Sequence, residues 1–171
     1  MSLTDLGAEL VKLLPPEAAH RATIRALKAG LGVPVAPVHH NPALAVTLPK
    51  SGLKLHSPVG LAAGFDKNCD VPDAMAKFGF GFIECGTVTP RPQPGNPKPR
   101  LFRLTEDRAV INRMGFNNYG LDYFVRRLKA YRGEVPLGAN VGANKDSTDR
   151  IADYVTAVEA VAPYAHYVTI N

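Results

Sequence analysis

Small and polar residues recur in four clusters, each of which directly follows an apolar run. Three of the clusters occupy residues 63–68, 86–89 and 140–145. The fourth is represented by one residue, Asn171, which follows the last apolar run. Small residues leave the backbone open to a flat ring, and amides and hydroxyls can bind the polar edge of such a ring. Lys67 adds a cation that suits an electron-rich ring or a carboxylate. If the fold brings the clusters together, they predict a site for a small planar molecule.

A long stretch, residues 89–120, lacks a clear helical or strand period. Stretches of this length inside a compact domain are usually functional or disordered. Apolar residues are spread along it, so we expect it to be ordered. Its segment NRMGFNN, residues 112–118, offers three amides, an arginine and a glycine turn. We predict that this segment binds a small, planar, anionic molecule that carries amide groups.

Alternating strands and helices are predicted to position these residues. Apolar strands are predicted at 59–65, 80–88, 135–142 and 166–171, and helices at 71–79, 121–131 and 147–165, the last one starting at Ser147 or Thr148. This alternation predicts an α/β fold with a parallel sheet covered by helices, whose strands point their carboxyl ends at the site. Four units fit a doubly wound sheet or half of an eight-stranded barrel. The first strand is followed by LAAGFDKN and not by the dinucleotide-binding motif G-x-G-x-x-G.

The residues before the sheet form a distinct region. Two short helices are predicted within residues 1–32, separated at Pro15 and Pro16, with the second closing at Gly30 or Gly32. One side of the second helix is basic, so a helical hairpin on the main domain and an amphipathic membrane-surface element both remain open. Residues 33–44, with His39 and His40, read as a proline-rich linker. A β-hairpin is predicted in residues 45–58, turning at Ser51 and Gly52.

Composition narrows the classes of function. With 171 residues, 46% of them hydrophobic and 20% charged, the chain has the make-up of a globular domain. The net charge of +5 comes from scattered basic residues and no nucleic-acid-binding motif is present, so we predict no nucleic-acid partner. No run approaches the ~18 apolar residues of a membrane span. Cys69 and Cys85 form no CxxC pair, so we expect a reducing compartment and no metal site.

Four segments together resemble a known family. GLAAGFDKN, GFIECGTVTPRPQPGNPKPRLFRL, INRMGFNNYG and GANVGANKD, in this order, resemble the dihydroorotate dehydrogenases of the membrane-associated, quinone-reducing class. The resemblance covers the whole chain. It implies a (β/α)8 TIM barrel that holds FMN at the carboxyl ends of its strands. Residues 41–171 would supply the first four βα units, and residues 1–40 a helical hairpin and linker for access to quinone and membrane.

The resemblance also implies roles for individual residues. Those expected to bind FMN are Ala63, Gly64, Phe65, Asp66, Lys67, Thr87, Asn140 and Asn171. Those expected to bind dihydroorotate or orotate are Lys67, Asn112, Arg113, Met114, Gly115, Phe116 and Asn171. His20 and Arg103 are candidates for polar contacts with the head of ubiquinone or a related quinone.

In the family reaction a base takes a proton from C5 of dihydroorotate, C6 delivers hydride to the flavin, and quinone reoxidises the flavin. The resemblance places the serine base beyond Asn171, so we expect these residues alone to be inactive. It also implies a peripheral protein on the cytoplasmic side of the inner membrane. Another FMN- or phosphate-binding TIM-barrel enzyme, an inactive fragment and a membrane-surface module remain as alternatives.

Overall fold

The structure, a computed structural model, describes residues 3–34 and 40–171 of the chain. His39 and part of the predicted linker lie outside the described residues. The helices and strands, in chain order, are α1 (Leu3–Lys12), α2 (Pro16–Lys28), β1 (Val46–Thr47), β2 (Lys54–Leu55), α3 (Pro72–Met75), β3 (Ile83–Val88), β4 (Leu101–Leu104), β5 (Ala109–Asn112), α4 (Leu121–Ala130), β6 (Leu137–Val141), α5 (Arg150–Val161) and β7 (Tyr167–Ile170). Short 3-10 turns precede β1 and follow α3.

The boundaries of α2 follow from its terminal residues. Pro15 is the residue before the helix and Pro16 its first residue, where a missing backbone N–H breaks no helical hydrogen bond. At the other end Gly30 has a φ of +78°, and the N–H of Leu31 donates to the carbonyl of Ala26 at 2.9 Å. The predicted glycine at the end of the helix is therefore confirmed.

Three parallel strands form the main sheet, in the order β3-β6-β7. Their register sets Gly86 of β3 beside Asn140 of β6, and Asn140 beside Thr169 of β7. The predicted strands in 80–88, 135–142 and 166–171 are thus confirmed. The side of the sheet that meets α4 and α5 is closed by apolar residues, among them Ile83, Phe124, Leu137, Val88, Val141 and Val161, which are at most 2% exposed.

The predicted strand at 59–65 is wrong in its extent. Only Leu61 makes a parallel bridge, to Ile83, although the N–H of Gly64 still donates to the carbonyl of Gly86 at 2.9 Å. Gly64 has a φ of +106°, which an extended strand does not allow. Glycine and alanine here also offer little side chain to pack against a neighbouring strand. The segment therefore runs beside β3 as an irregular turn.

Two further sequence predictions need correction, and one is confirmed. The stretch 89–120 contains an antiparallel hairpin, β4 with β5, which was not predicted. The sequences LFRL and AVIN do not alternate apolar and polar residues, which is the pattern that indicates a half-buried strand. In the structure Phe102, Val110 and Ile111 are accordingly exposed. Helix α5 begins later than predicted, because the carboxylate of Asp149 accepts a hydrogen bond from the N–H of Ala152 at 3.0 Å and caps it. The hairpin of β1 and β2 is confirmed, with two residues in each strand.

Residues 3–34 and 40–171 contain no helix that combines the length and the apolar composition needed to cross a membrane.

Candidate active site

Three side chains from the carboxyl ends of three strands meet in one hydrogen-bonded cluster. The hydroxyl of Thr87 donates to Oδ1 of Asn140 at 2.6 Å. Nδ2 of Asn171 donates to the Thr87 hydroxyl at 3.0 Å and to Oδ1 of Asn140 at 3.2 Å. Thr87 and Asn140 are buried, whereas Asn171 is exposed. We call this set the amide cluster, and it brings together residues that are up to 84 positions apart.

Two glycines allow the strands of the amide cluster to come this close. Gly86 has a φ of +122°, and a Cβ added to it would lie 2.4 Å from the carbonyl oxygen of Asn140. A Cβ on Gly142 would lie 2.8 Å from Cγ2 of Thr87 and 3.6 Å from the ring of Phe116. The distances of 2.4 Å and 2.8 Å are shorter than a Cβ can tolerate, so any side chain at Gly86 or Gly142 would displace the cluster.

The loop that carries Lys67 is fixed to β3 beside the amide cluster. The carbonyl of Asp66 accepts a hydrogen bond from the N–H of Gly86 at 3.0 Å. The buried carboxylate of Asp66 accepts from the N–H groups of Asp70 and Val71 at 2.8 and 2.7 Å. Burial raises the pKa of Asp66, and these two N–H groups oppose the rise. Through these hydrogen bonds the carboxylate holds the shape of the loop that carries Lys67.

Lys67 is the cation of this loop. Its Nζ donates to the carbonyl of Gly64, and it lines a cavity next to Arg100. Burial, and secondly the positive charge of Arg100, lower the pKa of Lys67 below its usual value. An anion bound beside Lys67 would offset both effects, so the position suits a carboxylate ligand.

The segment 112–118 lies against the same ends of the strands. Asn118 holds it there, because its Nδ2 donates to the hydroxyl of Thr89 at 2.9 Å and to the carbonyl of Phe116 at 2.7 Å. Asn144 donates to the same Thr89 hydroxyl at 3.2 Å and to the carbonyl of Arg91 at 2.9 Å. These amides are anchors for the loop, a function that the sequence analysis did not assign to them.

Within this segment the predicted substrate residues differ in their surroundings. Met114 is buried and lines the cavity beside Lys67, and the Phe116 ring lies close to Gly142. Asn112 is exposed at the end of β5, and Arg113 uses Nε and Nη2 to bind the carbonyl of Pro99 at 3.3 and 3.0 Å. Gly115 has a φ of +72° and packs against Asn96. The structure thus brings Met114 and Phe116 towards the site, while the Arg113 guanidinium is engaged in its own loop.

Glu84 is a site residue that the sequence analysis missed. Its carboxylate accepts a hydrogen bond from Nδ2 of Asn140 at 2.7 Å and one from the hydroxyl of Thr169 at 2.9 Å. It therefore orients the amide of Asn140, leaving Oδ1 for the amide cluster. An acidic residue inside the apolar strand FGFIECGTV was the available signal, since a carboxylate that is partly withdrawn from water needs hydrogen-bond partners.

The two candidate quinone residues are both bound to backbone carbonyls. Nε2 of His20 lies 2.6 Å from the carbonyl oxygen of Phe65, which can only accept, so the ring donates through Nε2. Burial lowers the pKa of His20, which favours the neutral ring with its proton on Nε2. Nη1 of Arg103 donates to the carbonyls of Lys12 and Leu14, at 2.8 and 2.9 Å, and so fixes the end of α1.

The backbone beside the amide cluster has room for a flat ring. Among the described residues, apart from the chain neighbours Ala63 and Phe65, the only atom within 4 Å of a Cβ built on Gly64 is Nζ of Lys67, at 3.9 Å. An open glycine backbone, a cation at its side and an edge of amide and hydroxyl groups are features that suit the isoalloxazine ring of FMN. The residues present therefore fit this cofactor.

Comparison with known proteins now separates the alternatives. A family model with the description Dihydroorotate dehydrogenase matches residues 43–171. The chain belongs to the dihydroorotate dehydrogenase family. The family resemblance found in the sequence segments is thereby confirmed, and an unrelated membrane-surface module is no longer a suitable description of residues 43–171.

Curated relatives in the dihydroorotate dehydrogenase family include proteins named dihydroorotate dehydrogenase (quinone). One from Rhizobium rhizogenes is 54% identical over 170 residues, which cover 99% of this chain and 46% of that protein. Another, from Rhizobium meliloti, is 57% identical over 169 residues, which cover 99% of this chain and 46% of that protein. The chain therefore spans about half the length of the curated relatives it matches.

Solved structures of the dihydroorotate dehydrogenase family match the fold as well. DHODH from Eimeria tenella in complex with ferulenol matches with a TM-score of 0.84 and 43% sequence identity, over 92% of this chain and 43% of that chain. The ligand-free form has the same TM-score and identity. Together with the parallel sheet and its covering helices, this match supports a fold of the TIM-barrel family.

Proposed function

We propose that the chain is part of a quinone-dependent dihydroorotate dehydrogenase, an enzyme of pyrimidine (UMP) biosynthesis. It would oxidise dihydroorotate to orotate with FMN as cofactor and ubiquinone or a related quinone as electron acceptor. The observation that carries the proposal is the amide cluster of Thr87, Asn140 and Asn171 beside the open backbone and cation of Gly64 and Lys67. The names of the relatives point to the same reaction.

In this proposal residues 41–171 are the first four βα units of the eight-stranded barrel, and residues 1–40 are the helical hairpin and linker. The chain covers 46% of each of the two relatives described above, which is in accord with half a barrel. No residue of the chain is assigned as the base, which in the family lies beyond the position of Asn171. Cys69 is fully buried and cannot reach a substrate in that role.

The residues of this chain would bind and orient the reactants. FMN, when bound, supplies the redox chemistry by accepting two electrons from the substrate. Ala63, Gly64 and Phe65 would lie under the ring, while Thr87 and Asn140 would bind its polar edge. Lys67 would hold the substrate carboxylate. Besides Lys67, the residues proposed to contact the substrate are Asn112, Arg113, Met114, Gly115, Phe116 and Asn171.

The N-terminal helices would lead quinone to this site from a membrane. Four leucines of α1 and the residues after it are between 41% and 81% exposed: Leu6, Leu10, Leu13 and Leu14. An apolar surface of this kind is suited to insertion at the membrane interface. We propose a peripheral protein on the cytoplasmic side of the inner membrane, with His20 and Arg103 as the polar contacts of the quinone head.

Replacement of Lys67 tests the proposed site. In the complete enzyme with FMN, Lys67→Ala should lower kcat for dihydroorotate about a hundredfold or more, because it removes the cation that orients substrate and cofactor. The absorbance spectrum of the bound flavin should change as well. Lys77→Ala, at an exposed lysine on the turn after α3, is the matched control and should leave both unchanged. Unaltered kinetics and an unaltered flavin spectrum in Lys67→Ala would refute the assignment.

Orotate distinguishes this function from that of another FMN-binding barrel. Added to the purified complete enzyme, orotate should perturb the absorbance of the bound flavin, because the product binds against the ring. An enzyme for a different small acid would show no such change with orotate at a concentration that saturates dihydroorotate dehydrogenases.

A further inference from the structure

A cavity of about 690 Å³ lies between α2, the loop around Lys67 and the segments 92–100 and 114–123. It follows one side of α2 from Glu17 to Lys28, a distance of ~16 Å at the helical rise per residue. Lys67 and Arg100 belong to the end near Glu17, since Arg100 binds Glu17. At the other end, Lys28 donates a hydrogen bond to the carboxylate of Asp70, and the hydroxyl of Tyr123 donates to the same carboxylate.

The lining of this cavity carries an excess of positive charge. It contains six cationic side chains and three carboxylates, an excess of three charges at neutral pH. His20 also lines the cavity but is not counted, because burial lowers its pKa and keeps it neutral. The charged residues are Arg21, Arg25, Lys28, Lys67, Lys98 and Arg100, against Glu17, Asp66 and Asp70.

All three carboxylates are already engaged by other groups. Glu17 is bound by Arg100 at 2.8 and 3.1 Å, with Lys98 at 3.5 Å. Asp70 accepts from Lys28 and Tyr123 at 2.8 and 2.7 Å, and Asp66 accepts from backbone N–H groups. Among the carboxylate side chains that the structure describes, none lies within 4 Å of the guanidinium of Arg21 or Arg25.

Arg21 and Arg25 are four residues apart and therefore adjacent on the surface of α2. Like charges at this spacing destabilise a helix by a few tenths of a kcal/mol. The helix dipole compensates a cation in the last turn, which includes Arg25, but not one in the middle of the helix, where Arg21 lies. An anion between the two guanidinium groups would remove the repulsion and use their paired N–H donors.

We propose that this cavity binds a phosphate group through Arg21 and Arg25. A phosphate monoester presents three oxygens and nearly two negative charges, which match two arginine forks and the excess charge better than a single carboxylate does. The cavity is far larger than one phosphate, so it has room for the group attached to it. Asn117 lines the same cavity, and its buried Oδ1 has no hydrogen-bond partner among the described residues.

Two sources could supply such a phosphate, a soluble ester or the headgroup of an anionic lipid, and glycerol phosphate is the chemistry that both share. Isothermal titration calorimetry of the complete enzyme with glycerol 3-phosphate tests the first source. Flotation with vesicles of phosphatidylcholine, with and without phosphatidylglycerol, tests the second. The variant is Arg21→Gln with Arg25→Gln, and the control is Arg108→Gln with Arg150→Gln, which removes the same charge at two exposed arginines outside the cavity.

We expect the Arg21 and Arg25 variant to lose at least tenfold in affinity for one of the two probes, while the control keeps it. Loss with glycerol 3-phosphate identifies a soluble ligand, and loss only with phosphatidylglycerol vesicles identifies a lipid. Oxidation of dihydroorotate with a water-soluble electron acceptor and the thermal midpoint should stay unchanged, which shows that the variant is folded. Absence of binding to both probes, or an equal loss in the control variant, would overturn the proposal.

Discussion

Replacing Glu17 by glutamine should show how strongly α2 is held to the rest of the protein. Arg100, only 7% exposed, donates Nε and Nη2 to the two carboxylate oxygens of Glu17, at 3.1 and 2.8 Å. Its Nη1 donates to the carbonyls of Pro94 and Asn96, at 2.6 and 3.0 Å. Among the described side chains, Glu17 supplies the only carboxylate that is bound to a buried guanidinium. Lys98, 3.5 Å from Glu17, is 55% exposed and adds little.

The expected loss of stability follows from this burial. Breaking a buried ion pair costs about 3–5 kcal/mol, because one charge is left without a partner. Glutamine at position 17 keeps one acceptor oxygen, and Arg100 keeps its two carbonyl partners, so we expect Glu17→Gln to lower the free energy of unfolding by about 2–3 kcal/mol. Glu9→Gln is the matched control, because Glu9 pairs with Lys12 while their side chains are 60% and 64% exposed. Exposed pairs of this kind often contribute nothing measurable.

Urea denaturation of the complete, FMN-loaded enzyme at several pH values is the assay. Hydrogen bonding to Arg100 lowers the pKa of Glu17 below its usual 4.5. The stabilisation from the pair is therefore complete above about pH 4.5 and is lost as the pH falls through the lower pKa of the folded state. The difference between wild type and Glu17→Gln should shrink accordingly in acid. A Glu17→Gln protein as stable as Glu9→Gln at pH 7, or a difference that grows as the pH falls, would refute the reasoning.

Two further changes probe the packing and the protonation of the site. Gly86→Ala should destabilise the protein by more than about 3 kcal/mol and abolish retention of FMN, because its Cβ would lie 2.4 Å from the Asn140 carbonyl and its φ of +122° is unfavourable for alanine. Gly7→Ala in α1, where a Cβ meets nothing within 4 Å, is the control, and equal denaturation midpoints for the two variants would contradict the packing argument. For His20, burial keeps the folded pKa below the unfolded value of about 6.5, so the free energy of unfolding should decrease as the pH drops below about 6.5. His20→Gln should weaken this dependence, and identical pH profiles for wild type and variant would count against it.

The meeting of Thr87, Asn140 and Asn171 followed from the sequence because a general rule places them. Parallel strands in an α/β fold have their carboxyl ends at one edge, so polar residues just after apolar strands must converge there. Each strand was recognisable by itself from its apolar run. This rule can be applied without knowing the register of the strands. The hydrogen bonds of the amide cluster show that the three residues do meet.

Other features depend on contacts that a local pattern does not contain. The pairing of Glu17 with Arg100 joins residues 83 positions apart, and neither has neighbours that indicate a buried ion pair. The strands β4 and β5 have exposed apolar residues on both faces, so the alternation that marks a half-buried strand is missing. The segment 59–65 was predicted to be a strand because it is apolar. The positive φ of Gly64 accompanies its hydrogen bond to Gly86 of β3, a contact that the local sequence does not indicate.

The contacts of α2 connect the N-terminal region to the candidate site more closely than their separation in sequence suggests. Its first turn is bound through Glu17 to Arg100, whose charge acts on Lys67. Its last turn is bound through Lys28 to Asp70, three residues after Lys67 in the same loop. A shift of α2 at either end must therefore move a group that adjoins Lys67. If α2 also leads quinone to the site or binds phosphate, as proposed above, ligand binding at α2 would alter the surroundings of Lys67, the proposed substrate cation. The two contacts described here would transmit this effect directly.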